Sequence, residues 1–207
     1  MNSHIIITLF AMLMLAGCRP YAVETSGLDP LKKSVNATTE IKSKPAAESI
    51  FQLADTFQTQ DGKPFNLAML KGKPTVVGMI FTNCTYACSR LTSDIKGIAD
   101  SLQGQADKVN FLLVSFDSER DHPARLKQFA GEMGLGENWT LLHGSDEAVR
   151  SLSVLLNVQY EKSASGNFSH SNMVSVLDKN GVFRFQQEGL FANHTQTISE
   201  IKDAIRK

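Results

Sequence analysis

The sequence predicts an α/β domain with a central mixed sheet flanked by helices and a β-hairpin extension at its N-terminal side. Three observations carry this. The runs Thr75 to Thr82 (TVVGMIFT) and Val109 to Phe116 (VNFLLVSF) are β-branched and apolar without alternation, as strands buried on both faces are. Each is followed by a helical signal, first apolar residues at Leu91, Ile95, Ile98 and Leu102, then a helix-opening Pro123. Strands that alternate with helices in this way need crossover connections, and so a partly parallel sheet.

The elements follow in order. Phe51 to Leu70 (FQLADTFQTQDGKPFNLAML) gives two short strands around the turn Asp61-Gly62, and a further turn falls at Lys71-Gly72-Lys73-Pro74. The first buried strand comes next, then the Leu91–Leu102 helix, then the second buried strand. Pro123 starts a helix that runs to about Met133. Trp139 to Leu142 (WTLL) reads as a third strand and Asp146 to Leu156 as a helix. Met173 to Leu177 and Val182 to Gln186 form a hairpin around Asp178-Lys179-Asn180-Gly181, where Asn-Gly is a strong turn signal. Thr195 to Ile205 closes with a helix. A terminal hairpin and a last helix added to strand–helix alternation suggest the thioredoxin-like class.

Composition narrows the function. An apolar fraction of 42% and a charged fraction of 20% suit a packed core. Formal net charge is zero, and no basic run is present, which argues against nucleic acid and against an anionic surface as partner. Three cysteines in 207 residues are too sparse for a disulfide scaffold.

The N-terminal residues read as a targeting segment. Ile5 to Ala16 (IIITLFAMLMLA) is apolar and uncharged, and shorter than the roughly 20 residues a membrane span needs. It runs into Leu15-Ala16-Gly17-Cys18, which resembles the lipobox of bacterial lipoproteins, although MNSH before it carries no Lys or Arg. The expected organisation is a leader over 1–17, a tether over 18–48 with Cys18 lipidated, and a folded domain over 49–207. The tether contains Pro20, Pro30 and Pro45 and few large apolar residues. That places the domain in a bacterial cell envelope, lipid-anchored and facing the periplasm or extracytoplasmic space, where dithiols can be oxidised. It is expected to act as a monomer.

The chemistry centres on FTNCTYACSR, Phe81 to Arg90. Cys84 and Cys88 are four apart, one more than in C-x-x-C redox motifs. Cys84 falls where a buried strand gives way to a helix, whose free N–H groups and dipole favour thiolate. A helix covering both residues would set their Cβ atoms about 5–6 Å apart on one face. That spacing serves either a disulfide or a soft metal ion. Two soft thiolates suit Cu(I), and an added imidazole suits copper in either redox state. The bland alternative is a pair of small apolar core residues. Of the histidines, His4 lies in the leader. His122, His143 and His194 stand before helices or at a strand end, as solvated residues do. His170, in NFSHSN just before a strand, is better placed than these, but position alone leaves the third ligand open. Met79, Met173 and Trp139 read as core.

Three stretches resemble the Sco/SenC family, copper chaperones and thiol-disulfide proteins of cytochrome oxidase assembly. FTNCTYAC is similar to its T-x-C-x-x-x-C metal motif. Ser115 to Pro123 (SFDSERDHP) resembles its S-x-D-x-x-R-D-x-P segment. Phe168-Ser169-His170-Ser171, followed by VLDKNG, resembles its distal H-S segment and hairpin. The resemblance runs from about Phe51 to the C-terminus. It implies that Cys84, Cys88 and His170 are copper ligands, that Cys84 and Cys88 can also act as a redox pair, and that Asp117 matches an acidic residue near the site. It further implies a copper acceptor such as the copper-binding subunit of cytochrome c oxidase. Thr85-Tyr86-Ala87 stands where family loops often carry Pro and Asp. Copper delivery to the oxidase is the leading expectation, and reduction of the acceptor's cysteines the alternative. A peroxidase lacks support, because GMIFTNC has no suitable proline and threonine before the cysteine. Zinc on the same ligands, with an open fourth position, and a redox-silent adaptor rank lower.

Overall fold

The computed structural model describes residues 48–84 and 86–207. The leader, Cys18 and nearly all of the expected tether lie outside them. Among the described residues no helix is long and apolar enough to cross a membrane.

The core is a seven-stranded mixed sheet. Its strands are β1 (Thr56–Thr59), β2 (Pro64–Asn66), β3 (Thr75–Ile80), β4 (Asn110–Ser115), β5 (Trp139–His143), β8 (Met173–Leu177) and β9 (Phe183–Glu188), in the order β2-β1-β5-β4-β3-β8-β9. β3 runs parallel to β4, and β4 to β5, as crossover connections require. β1 joins β5 antiparallel, so the N-terminal hairpin extends the sheet edge. β8 lies antiparallel to β3, and β9 to β8. Every residue of β3 is buried, in keeping with its unbroken apolar run. Four helices complete the domain: α1 (Ala87–Asp100), α2 (Pro123–Glu132), α3 (Asp146–Leu155) and α4 (Thr195–Arg206).

α1 packs closely on β3. A Cβ on Gly78 would lie 2.8 Å from Ile95 Cδ1, so glycine here lets helix and strand approach. The expected core residues are in place. Met79 and Met173 are buried, and Trp139 is buried and stacks on Phe111 with ring centroids 5.1 Å apart. These strand and helix positions bear out the thioredoxin-like architecture.

One element was not anticipated. β6 (Tyr160–Lys162) and β7 (Phe168–His170) pair antiparallel as a separate two-stranded ribbon, with Tyr160 opposite His170. His170 is therefore the last residue of a ribbon strand.

The chain enters the domain at one pole. Ser49 bridges Val182, and the Ile50 amide donates to the Gly181 carbonyl at 3.0 Å, beside the β8–β9 turn. Thr75, the first residue of β3, pairs with Leu177 at that pole. The cysteine loop follows the other end of β3.

Candidate metal centre

After Ile80 the chain leaves the sheet through Phe81 and Thr82, and its geometry there is fixed by a buried acid. Asp121 is completely buried. Its carboxylate accepts the Thr82 amide at 2.8 Å, the Thr82 hydroxyl at 2.5 Å and the Ser115 hydroxyl at 2.6 Å. Three donors compensate the desolvated charge and tie the end of β4 to the cysteine loop. Sequence reasoning assigned Asp121 no role. Its signal was its place in SFDSERDHP, directly after Arg120 and just beyond a buried strand.

α1 begins at Ala87, so one helix does not carry both cysteines. Cys84 sits before the helix and its Sγ accepts the Cys88 amide at 3.3 Å. The N-cap residue, Tyr86, makes no side-chain cap, so the sulfur satisfies one of the first-turn amides that would otherwise be free. Partial burial opposes ionisation of Cys84. The N–H groups of Cys88, Tyr86 and Ala87 outweigh it, so its pKa lies below the ordinary thiol value. Cys88 is fully buried in the first turn, and its Sγ accepts the Phe81 amide at 3.4 Å. Burial drives its pKa far up, and the neighbouring Cys84 and Asp121 charges add to the rise. Both cysteines are free thiols.

His170 meets them from the ribbon. Its ring is tilted against Phe116, with centroids 4.9 Å apart, and lies edge-on to Phe81. Tyr160 stacks on Phe116 at 5.1 Å, and Phe168 is tilted against both Phe81 and Phe116. The Nδ1 atom is 3.2 Å from the Ser171 carbonyl, which can only accept, so Nδ1 carries the proton. Nε2 is left with its lone pair and stands 3.5 Å from Cys88 Sγ. Burial lowers the His170 pKa, with partial opposition from the Ser171 carbonyl, which favours the neutral imidazole that binds metals.

Cys84, Cys88 and His170 thus bring one donor atom each to within 4.8 Å of one another. Thiolate–metal distances of about 2.3 Å and imidazole distances of about 2.0 Å allow donor separations up to roughly 4.6 Å. Movements of a few tenths of an ångström would close the group on an ion. Among the described residues this is the one set of three or more such side chains grouped for metal. The other histidines lie elsewhere. His122 and His194 precede α2 and α4, and His143 ends β5 with its ring 5.7 Å from that of His122. Asp117 is buried and its carboxylate is taken by Arg120, so it does not join the donor group.

With this geometry in view, comparison with known proteins is decisive. The SCO1/SenC family model matches residues 40–206. The chain belongs to the SCO1/SenC family. A SCO1 protein homolog of Bacillus subtilis is 36% identical over 94 residues, 45% of this chain and 49% of that protein, so the match spans about half the relative's length. A SCO1/SenC family lipoprotein from Bacillus anthracis has a crystal structure with TM-score 0.69 and 29% identity, covering 79% of this chain and 97% of that one. ScoI of Bradyrhizobium japonicum, solved with copper bound, has TM-score 0.61 and 24% identity, covering 73% and 96%, and shares the fold.

Proposed function

We propose that this SCO1/SenC protein binds copper through Cys84 Sγ, Cys88 Sγ and His170 Nε2. It then passes the ion, outside the cytoplasm, to the binuclear copper site of a cytochrome c oxidase. The observation that carries the reading is the convergence of two thiols and a bare imidazole nitrogen from two separate elements. Soft sulfur with nitrogen suits copper in both redox states. The copper held by the Bradyrhizobium relative supports the same cargo. Cys84, already biased to thiolate, is the entry ligand. Cys88 gives up its proton as the ion arrives, and His170 completes the site. Release proceeds by exchange of these ligands for the acceptor's own. Because protons compete for all three, affinity falls as pH falls. Lipidation at Cys18 would hold the domain in the cell envelope. The Bacillus anthracis relative, a lipoprotein, supports that placement.

One observation favours a second activity at the same atoms, since both thiols are free and their acidities differ sharply. The Cys84 thiolate would attack an acceptor disulfide, whose bond breaks as a mixed disulfide forms. Cys88 would then displace the second acceptor thiol and close the Cys84–Cys88 disulfide. Two electrons pass to the acceptor; the Cys88 proton goes to one released sulfur and the other takes its proton from water.

The deciding experiment is a copper titration of the reduced full chain beside His170→Ala. Stoichiometric binding is expected in the parent. The variant should lose more than the ~10–100-fold that removal of a supporting residue costs. Absence of copper binding in the parent, or equal binding in the variant, defeats the chaperone reading and leaves the reductase.

A further inference from the structure

The turn that follows β4 grips both halves of the site. Asp121 holds Thr82, two residues before Cys84. One and two residues before Asp121, the same turn holds the ribbon through Arg120 and Glu119. Arg120 Nε pairs with the Asp117 carboxylate, whose side chain has no exposure, while Arg120 Nη2 donates to the Gly166 carbonyl at the tip of the β6–β7 ribbon. The Arg120 amide closes the turn by donating to Asp117 Oδ1 at 3.3 Å, and the Asp121 amide donates to the Asp117 carbonyl at 3.0 Å. Glu119 pairs with Lys162 on β6 at 2.7 Å, a largely exposed contact that adds little by itself.

The ribbon needs such a hold. It has three residues in each strand and no strand of the main sheet beside it. Its base rests on Phe81 and Phe116, but its tip is fixed to the body by Arg120. A planar guanidinium can serve the buried carboxylate and the carbonyl at once, because its donors diverge in a rigid fork.

We propose that Arg120 is a positioning residue for the metal site, fixing the His170 ribbon through Asp117 and Gly166 at its working distance from the thiols that Asp121 holds. The inference rests on the copper reading for its effect on affinity, and on the geometry alone for its effect on the ribbon.

The test is Arg120→Lys in the full chain. Lysine keeps a positive charge beside Asp117 but cannot form both contacts. Amide exchange over 163–170 should quicken by about ten-fold, the loss of one charge-assisted hydrogen bond. Copper affinity should fall by about ten-fold, as for other residues that orient a ligand. The Cys84–Cys88 reduction potential and exchange within β3 and β4 should match the parent. Should this variant fail to fold, the paired change Asp117→Asn with Arg120→Gln removes both charges together and is read in the same way. Unchanged exchange over 163–170 overturns the inference, as does faster exchange with unchanged copper affinity. If the parent binds no copper, the copper reading fails, and exchange alone decides whether Arg120 holds the ribbon.

Discussion

The two sides of the metal site are built to different standards. The cysteine side is continuous with β3, every residue of which is buried, and is locked by the three hydrogen bonds of Asp121. The histidine side is a ribbon of two three-residue strands outside the main sheet, seated on aromatic rings and tied at its tip by one arginine. Local opening is cheapest where few apolar contacts and few shared ladders hold an element. The sulfur pair is therefore a fixed platform and the imidazole a ligand that can leave first. That inequality suits the proposed delivery role, in which the ion must be both held and surrendered.

The comparison can be broken most forcefully at Asp121. Asp121→Ala leaves the Thr82 amide and the Thr82 and Ser115 hydroxyls without their acceptor in a buried setting, and should cost roughly 3 kcal/mol of stability. Urea unfolding measures it, and a cost below about 1 kcal/mol would mean the platform does not depend on this acid.

Next in size is the contrast between the sulfurs. At neutral pH iodoacetamide should alkylate Cys84 at least about 100-fold faster than Cys88, because the thiolate is the nucleophile, only Cys84 has a lowered pKa, and Cys84 is half-buried where Cys88 is buried. The Cys84 rate should fall as pH drops through its pKa, since protonation removes the thiolate. Mass spectrometry resolves the two sites, and equal rates would remove the assigned order of metal entry.

The smallest effect is expected on the ribbon. Phe168→Ala removes one edge of the aromatic cluster and should cost only about 1 kcal/mol globally. It should still shift and broaden the His170 ring resonances in NMR while leaving those of β3 in place. A global cost as large as that of Asp121→Ala would show that the ribbon belongs to the core, and the two halves would no longer differ.

How far the sequence announced all this depends on how local each signal is. The buried strands around Val76 and Leu112 are written as apolar runs, and the helices as apolar spacing or as Pro123, so the architecture was legible. The β6–β7 ribbon was not. Its residues, YEK and FSH, are half-buried or exposed and too few to show a period. The start of α1 was not legible, because the Cys84 sulfur, instead of a Ser, Thr, Asp or Asn side chain, answers the Cys88 amide. The grouping of Cys84, Cys88 and His170 could be anticipated from family resemblance. Asp121 stood in the same resemblance, within SFDSERDHP, but its role could not be read, because a buried charge is meaningful only once its partners from other segments are known.

The attachment of the chain at Ser49, beside the β8–β9 turn, has a consequence for encounter. That contact and the thiols occupy opposite ends of β3. Whatever restrains the protein upstream of residue 48 therefore acts at the pole away from the donor atoms. Under the proposed lipid anchoring, the sulfur-bearing end would be the one that sweeps through space, and finding a recipient would become a rotation about the point of attachment rather than a sliding of one face over another.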